Sequence, residues 1–203
     1  MPQRWIGTNQ YDRDRSRALL ERPYLERLLQ GQPAACEVLD LGCGAGEPIG
    51  RFLVDAGCRV TGVDVAPAML ALCRERWPAA TWIEQDMRTL ALGRRFSAIV
   101  AWDSFFHLPQ DEQRRMFAVF EQHAAPGAAL LFTSGTEEGS GAGAMYGRPL
   151  FHASLATAEY RRLLAAHGFA VSLHRVADPA CGGHTVWLAH YPDAGSSRTD
   201  SQQ

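Results

Sequence analysis

Between Val38 and Thr133 the chain alternates short apolar runs with longer amphipathic stretches. Val38–Leu41, Arg59–Val63, Thr81–Glu84, Ala98–Trp102 and Ala128–Thr133 have the length of strands buried on both faces. Between them, Ile49–Ala56, Ala68–Trp77 and Asp111–His123 read as helices. Strands and helices alternating at this spacing predict crossover units, and so a parallel sheet in an α/β fold. One more helix is predicted over Leu155–His167, closed by Gly168 where a left-handed residue is wanted. Two strands come after it, Ala170–Val176 and Thr185–Tyr191, with too little chain between them for a crossover. They predict an antiparallel hairpin around Asp178–Gly183.

The flanks differ from this core. Arg13–Leu29 reads as a helix whose apolar set is Leu19, Leu20, Leu25, Leu28 and Leu29, broken or kinked at Pro23. Asp12, Asp14, Glu21 and Glu26 are interleaved with its arginines, so a solvated, ion-paired face is expected rather than a basic patch. The Gly-Gln-Pro break at 31–33 separates this segment from the first strand. The expected organisation is a helical cap over 1–35, one domain over 36–192 and a polar, Ser-rich disordered tail over 193–203.

Composition narrows the chemistry. All twenty basic residues are arginine, and without lysine the chain cannot be a Walker-type phosphate binder or a Schiff-base enzyme. A net charge of −2 argues against a nucleic-acid or membrane surface built on charge. Neither a signal-peptide core nor a membrane-spanning run is present in the sequence. The cysteines, Cys36, Cys43, Cys58, Cys73 and Cys181, are odd in number and lack a C-x-x-C pair, so reduced thiols in a cytoplasm are expected rather than zinc or disulfides.

The chemistry-bearing residues fall at predicted strand ends. The first strand runs into Asp40-Leu41-Gly42-Cys43-Gly44-Ala45-Gly46-Glu47-Pro48, then a helix. Glycines at such a turn let a ligand approach the backbone, and the free amides at the helix start favour an anionic group. A dinucleotide fingerprint would need glycines at 42, 44 and 47, but position 47 is glutamate, which opposes a pyrophosphate there. Strand two ends at Asp64, a carboxylate able to accept from both hydroxyls of a ribose. Strand three ends at Gln85-Asp86-Met87, able to accept from an adenine amino group, and strand four at Trp102-Asp103-Ser104-Phe105-Phe106-His107-Leu108. Four such ends in register point to a nucleoside site at the carboxyl edge of the sheet.

With those residues in view, the chain resembles the class I S-adenosylmethionine-dependent methyltransferases, particularly the small single-domain members. Asp40–Gly46 matches the family's first motif, Gly62-Val63-Asp64-Val65-Ala66 the second and Gln85-Asp86-Met87 the third; Phe105-Phe106-His107-Leu108-Pro109 is similar to its segment after strand four. The resemblance covers about residues 10 to 191. It implies a Rossmann-like three-layer sandwich with a seven-stranded, mostly parallel sheet and an antiparallel last strand. It also implies S-adenosyl-L-methionine as cofactor. The roles it carries over put the methionine end on Gly42, Gly44 and Gly46, with Asp40 acting through water. The ribose falls to Asp64, and the adenine to Asp86 and Met87 with Met69 on its face; Val65 and Trp102 complete the cofactor-binding set.

The expected function is methyl transfer to a small-molecule O, N or S nucleophile, with no metal, nucleic-acid or membrane partner, by a monomer or homodimer. Asp103 stands where a metal-dependent catechol-type enzyme has its first ligand, but strand five ends Thr133-Ser134-Gly135 without a second. The Asn/Asp-Pro-Pro-aromatic motif of amino-methylating nucleic-acid enzymes is absent from the segment after strand four. Two alternatives stay open: a non-catalytic nucleoside-binding or partner domain, and a nicotinamide-dependent oxidoreductase. His107, His152, Tyr11 and Tyr146 are the catalytic candidates, His107 chiefly as a shaper of the pocket. His184, after Gly182-Gly183, is a candidate for lining the pocket, with a plain strand start as the alternative. Residues 134–147, with five glycines in fourteen positions, are expected to be a mobile loop. Such a loop can hinge as a lid and bring Tyr146, Phe151 and His152 over the acceptor, with Ser154 capping the next helix.

Overall fold

Alternate residues of the central strands are apolar on both sides, which forces the sheet into the middle of the molecule. In β1 (Glu37–Leu41), Leu39 and Leu41 pack to one face and Val38 to the other. The same split runs through β2 (Arg59–Asp64), β4 (Phe96–Ala101) and β5 (Ala124–Ser134). The computed structural model describes Asp12, Asp14 and residues 17–194 except Tyr146. Tyr11, Tyr146 and the tail beyond Ala194 therefore lie outside the described residues.

The seven strands are ordered β3-β2-β1-β4-β5-β9-β8, with β3 at Thr81–Glu84, β8 at Ala170–Asp178 and β9 at His184–His190. Five are parallel; β9 runs antiparallel to both β5 and β8, so the expected terminal hairpin and reversed last strand are present. One face is covered by α1 (Arg22–Leu29), α2 (Ile49–Asp55) and α3 (Pro67–Arg76), through Tyr24, Leu25, Leu28, Leu53 and Leu70. The other is covered by α4 (Gln110–His123) and α5 (Thr157–Ala166), through Met116, Phe117, Phe120, Tyr160 and Leu164. Phe105 stands edge-on to Phe117, Phe120, Phe132 and Tyr160, and so ties the end of β4 to both helices.

Three expectations need correction. The expected Arg13–Leu29 helix is interrupted, but not by Pro23: Asp12 and Asp14 are helical, residues 17–21 are not, and α1 begins at Arg22 with Pro23 in its first turn, where a missing N–H costs nothing. The glycine-rich stretch is not a loop. β6 (Gly139–Met145) and β7 (Arg148–Ser154) form an antiparallel ribbon in which Ala142 pairs with Phe151 and Gly141 with His152. Ser154 does not cap α5, whose cap position is Ala156; its hydroxyl lies 3.3 Å from the Tyr160 hydroxyl instead.

The ribbon's base is held by a buried polar network. The Gln113 amide donates to the carbonyls of Leu108 (2.9 Å) and Ala153 (2.8 Å), and accepts from the Tyr160 hydroxyl (2.7 Å). Tyr160 in turn accepts from the Leu155 amide (3.1 Å). Gln113→Leu would strand two carbonyls and a hydroxyl away from water, so a loss of roughly 2–4 kcal/mol is expected in denaturant unfolding. A change below about 0.5 kcal/mol would mean the network contributes nothing.

Candidate functional site

β1 delivers the chain into a glycine turn whose three glycines have different reasons to be there. A Cβ on Gly42 (φ +75°) would lie 2.3 Å from the Ser104 Cβ, and one on Gly46 (φ +76°) 2.6 Å from the Trp77 ring. Protein packing demands both. A Cβ on Gly44 (φ +54°) would meet no protein atom within 4 Å, so this glycine faces open space. Its peptide groups are nonetheless fixed: its N–H donates to Asp64 Oδ2 (2.9 Å), and its carbonyl accepts from the Cys73 thiol (3.2 Å).

Asp64 ends β2 beside that space. Its other oxygen accepts from the Ala66 amide (2.8 Å). Burial pushes its carboxyl above the ordinary range, and the amides of Ala66, Gly44 and Val65 oppose the shift. Asp40 is buried near the end of β1, level with Gly62 and Val100 of the neighbouring strands. Val65 is exposed, and Met69 is buried against Ala45 and Ala66. The Met87 methyl would come within 3.3 Å of a Cβ on Gly42, which places it at the loop.

Asp86 is differently engaged than the sequence implies. Arg88 Nε reaches both of its carboxylate oxygens at 3.0 Å, and the Arg88 amide donates to Oδ1 at 2.9 Å. The guanidinium holds the Asp86 carboxyl below the ordinary carboxylate range. Arg88 was not singled out from sequence, although an arginine two positions after an aspartate in one tight turn is a readable signal.

The N-terminal segment is tied to the same loop. Arg76 donates to Asp12 Oδ1 (2.8 Å) and Oδ2 (2.6 Å) and to the carbonyl of Ala45 (3.1 Å). This pair lowers the pKa of Asp12. Glu47, whose charge opposes a pyrophosphate, lies 3.8 Å from both Arg17 and Arg51.

Beyond β4 the chain turns sharply at Asp103, a non-glycine residue at φ +47°. Its amide donates to Thr133 Oγ1 (2.9 Å), while the Ser104 hydroxyl donates to the carbonyl of Leu41 (2.7 Å). His184 Nε2 lies 2.9 Å from Asp103 Oδ1, and His184 Nδ1 lies 2.6 Å from the carbonyl of Cys181. Its ring also lies 5.3 Å from that of Trp102, which is buried. The Asp103 carboxylate raises the pKa of His184 to about 8, against partial burial, with the Cys181 carbonyl and Glu21 adding to the rise. Because the folded value exceeds the free one, this contribution is complete below about pH 6.5 and disappears as pH rises through about 8. Discounted for solvent screening, it is worth about 1 kcal/mol. Unfolding free energies at pH 6 and pH 9 should therefore differ by that much more in wild type than in His184→Gln; equal differences would deny the linkage.

His107 and His152 do come together: their rings are 4.8 Å apart, with Phe106 at 4.7 and 5.5 Å. The Nδ1 atom of His107 lies 2.9 Å from the carbonyl of Phe151, so the ribbon docks on the turn after β4. Burial lowers the pKa of His107. Among the described residues, no three His, Cys, Asp or Glu side chains gather closely enough to hold a metal, and no helix is long and apolar enough to cross a membrane.

Residues 38–127 match the protein family described as "Methyltransferase domain". Over that segment the chain is similar to a methyltransferase domain. Over 101 residues it is 39% identical to the dTDP-3-amino-3,6-dideoxy-alpha-D-glucopyranose N,N-dimethyltransferase of Streptomyces fradiae, covering 49% of this chain and 39% of that protein. Over 101 residues it is 35% identical to the dTDP-3-amino-3,4,6-trideoxy-alpha-D-glucopyranose N,N-dimethyltransferase of Streptomyces venezuelae, covering 49% and 42%. The chain thus spans about two fifths of the length of these curated relatives. Among solved structures, CalS10 of Micromonospora echinaspora, an amino pentose methyltransferase with S-adenosylmethionine bound, superposes with a TM-score of 0.70 at 20% identity. That match covers 94% of this chain and 99% of the other. At that identity the likeness is one of fold. The matched segment contains the glycine loop, Asp64, Asp86 and Asp103 alike.

Proposed function

We propose that the chain transfers a methyl group from S-adenosyl-L-methionine to a small-molecule acceptor without a metal. The observation that carries this is the cradle: a methyltransferase-domain loop whose middle glycine opens onto empty space, with the Asp64 carboxylate beside it. The donor, when bound, supplies a methyl already activated on a sulfonium, so the protein has to position the acceptor and exclude water. Gly42, Gly44 and Gly46 let the backbone come close, and Asp64 offers acceptors to a vicinal diol. Met69, Met87, Val65 and Trp102 give apolar surface, and Asp40 a buried charge near the loop. Asp86 reaches an adenine only by sharing its oxygens with Arg88. The N-terminal segment, in its described residues, caps the site, supported by the Asp12–Arg76 bond, and the ribbon closes the opposite side through His107 and His152.

The amino-sugar methyltransferases among the relatives support a small acceptor. The free thiols of Cys36, Cys43, Cys58, Cys73 and Cys181 suit a reducing cytoplasm. Calorimetry with S-adenosylhomocysteine and with NADH tests the proposal directly. Binding of the first and not the second is expected, along with transfer of label from a labelled donor to a member of an acceptor panel. Binding of NADH alone would move the chain to the oxidoreductases.

A further inference from the structure

Four of the five cysteines meet in two pairs, and the pairs are built differently. Cys43 and Cys73 both donate to the carbonyl of Gly44, at 3.7 and 3.2 Å, and both are buried at the glycine loop. Cys36 and Cys58 stand at the opposite edge of the sheet, just before β1 and β2, with their Sγ atoms 3.4 Å apart. We propose that Cys36 and Cys58 are a disulfide-forming site, closed by exchange with a small disulfide such as oxidised glutathione, that staples the start of β1 to the start of β2.

The sheet sets this geometry. Glu37 pairs with Arg59 in the parallel ladder, and the Arg59 N–H donates to the carbonyl of Cys36 (2.9 Å), so residues 36 and 58 lead side by side into neighbouring strands. Neighbouring strands lie about 4.8 Å apart, inside the roughly 4.4–6.8 Å Cα separation that a disulfide spans. Side chains two positions apart in a strand share a face. Cys36 therefore points with Val38 and Cys58 with Val60, and all four pack into the same core. Closing 3.4 Å to a bond of about 2.05 Å takes about 1.4 Å of side-chain movement, with no change of register.

A reagent reaches the pair through Cys58. It is half-buried where Cys36 is buried, and Asp55, Ala56 and Gly57 before it and Arg59 after it are exposed. A Cβ on Gly57 would meet no atom within 4 Å, so the turn into Cys58 is uncovered. Cys58 loses its proton to solvent, its thiolate attacks one sulfur of oxidised glutathione, and a glutathione thiolate leaves. Cys36 then loses its proton, attacks the Cys58 sulfur of the mixed disulfide and expels the second glutathione thiolate. The two thiolates released take up the two protons, so two protein thiols are oxidised and one small disulfide is reduced. Burial pushes the Cys58 thiol up to about 12, and its contact with Cys36 adds to the rise. Exchange is therefore slow, which suits a lasting cross-link and not a fast sensor. Oxidising Cys43 and Cys73 instead would strip both thiol donors from the Gly44 carbonyl, at sulfurs that burial shields.

Incubating the full chain with excess oxidised glutathione, then alkylating it under denaturing conditions, tests this by intact mass and by peptide mapping without reductant. The expected product has lost two hydrogens, carries no glutathione, has its other three cysteines alkylated and yields one linked pair of peptides, Cys36 to Cys58. The bond closes a loop from residue 36 to residue 58 and so constrains the unfolded chain. The oxidised protein should therefore unfold about 5 °C or more above the reduced one, and dithiothreitol should reverse the shift. Cys58→Ser should show neither the mass loss nor the reversible shift. Five alkylated thiols after oxidation, glutathione left on Cys58, a link between other cysteines, or a cross-linked protein no more stable than the reduced one overturns the proposal.

Discussion

Asp64→Ala should bind S-adenosylhomocysteine at least about tenfold more weakly than wild type while remaining folded. Two losses add. The first is the direct one: a carboxylate accepting from a diol is a charge-assisted contact worth about 1.5–3 kcal/mol. The second is preorganisation, since Asp64 also accepts from the amides of Gly44 and Ala66 and so fixes the loop that must meet the ligand. Asp64→Asn separates the two. Its side-chain oxygen can still accept one of these amides, so its affinity should fall between those of wild type and Asp64→Ala. Calorimetry gives the affinities, and far-ultraviolet dichroism with thermal unfolding checks the fold. Wild-type affinity in a folded Asp64→Ala protein would remove Asp64 from the site.

The parallel sheet was readable because its signal is local. Val38, Leu39 and Leu41 alternate between two buried faces, and the helices between strands carry their own period. The terminal hairpin could be inferred from connection length alone. The β6–β7 ribbon was not readable, because Gly139 to Ala144 alternates glycine with serine and alanine and carries no hydrophobic contrast. Its partner strand is identified only by pairing, and its anchor is Gln113, a residue of a distant helix. The candidate site divides along the same line. The cradle residues lie in contiguous motifs at strand ends. Asp103 and His184 were each visible, but only the β5–β9 pairing and the turn at Gly182-Gly183 bring them to 2.9 Å. Arg88 belongs to no motif or hydrophobic period; its one signal is its place two positions after Asp86 in a single short turn.

The glycine loop gives the sharpest contrast between a residue the fold needs and one the ligand needs. Gly42→Val should destabilise the protein by roughly 3 kcal/mol or more. Its Cβ would fall 2.3 Å from that of Ser104, and Ser104 cannot retreat without breaking its bond to the Leu41 carbonyl. Gly44→Val meets no protein atom, so its cost to the fold is the left-handed backbone alone, about 1–2 kcal/mol. Its two methyl groups would instead fill the open space beside Asp64, and binding of S-adenosylhomocysteine should fall by about a hundredfold or more, nearly 3 kcal/mol. Denaturant unfolding and calorimetry on the two variants should therefore rank them in opposite orders. If Gly44→Val bound the ligand like wild type, the loop would be an ordinary turn with no cofactor against it. If Gly42→Val were as stable as Gly44→Val, the packing of Ser104 under the loop would not be what fixes its shape.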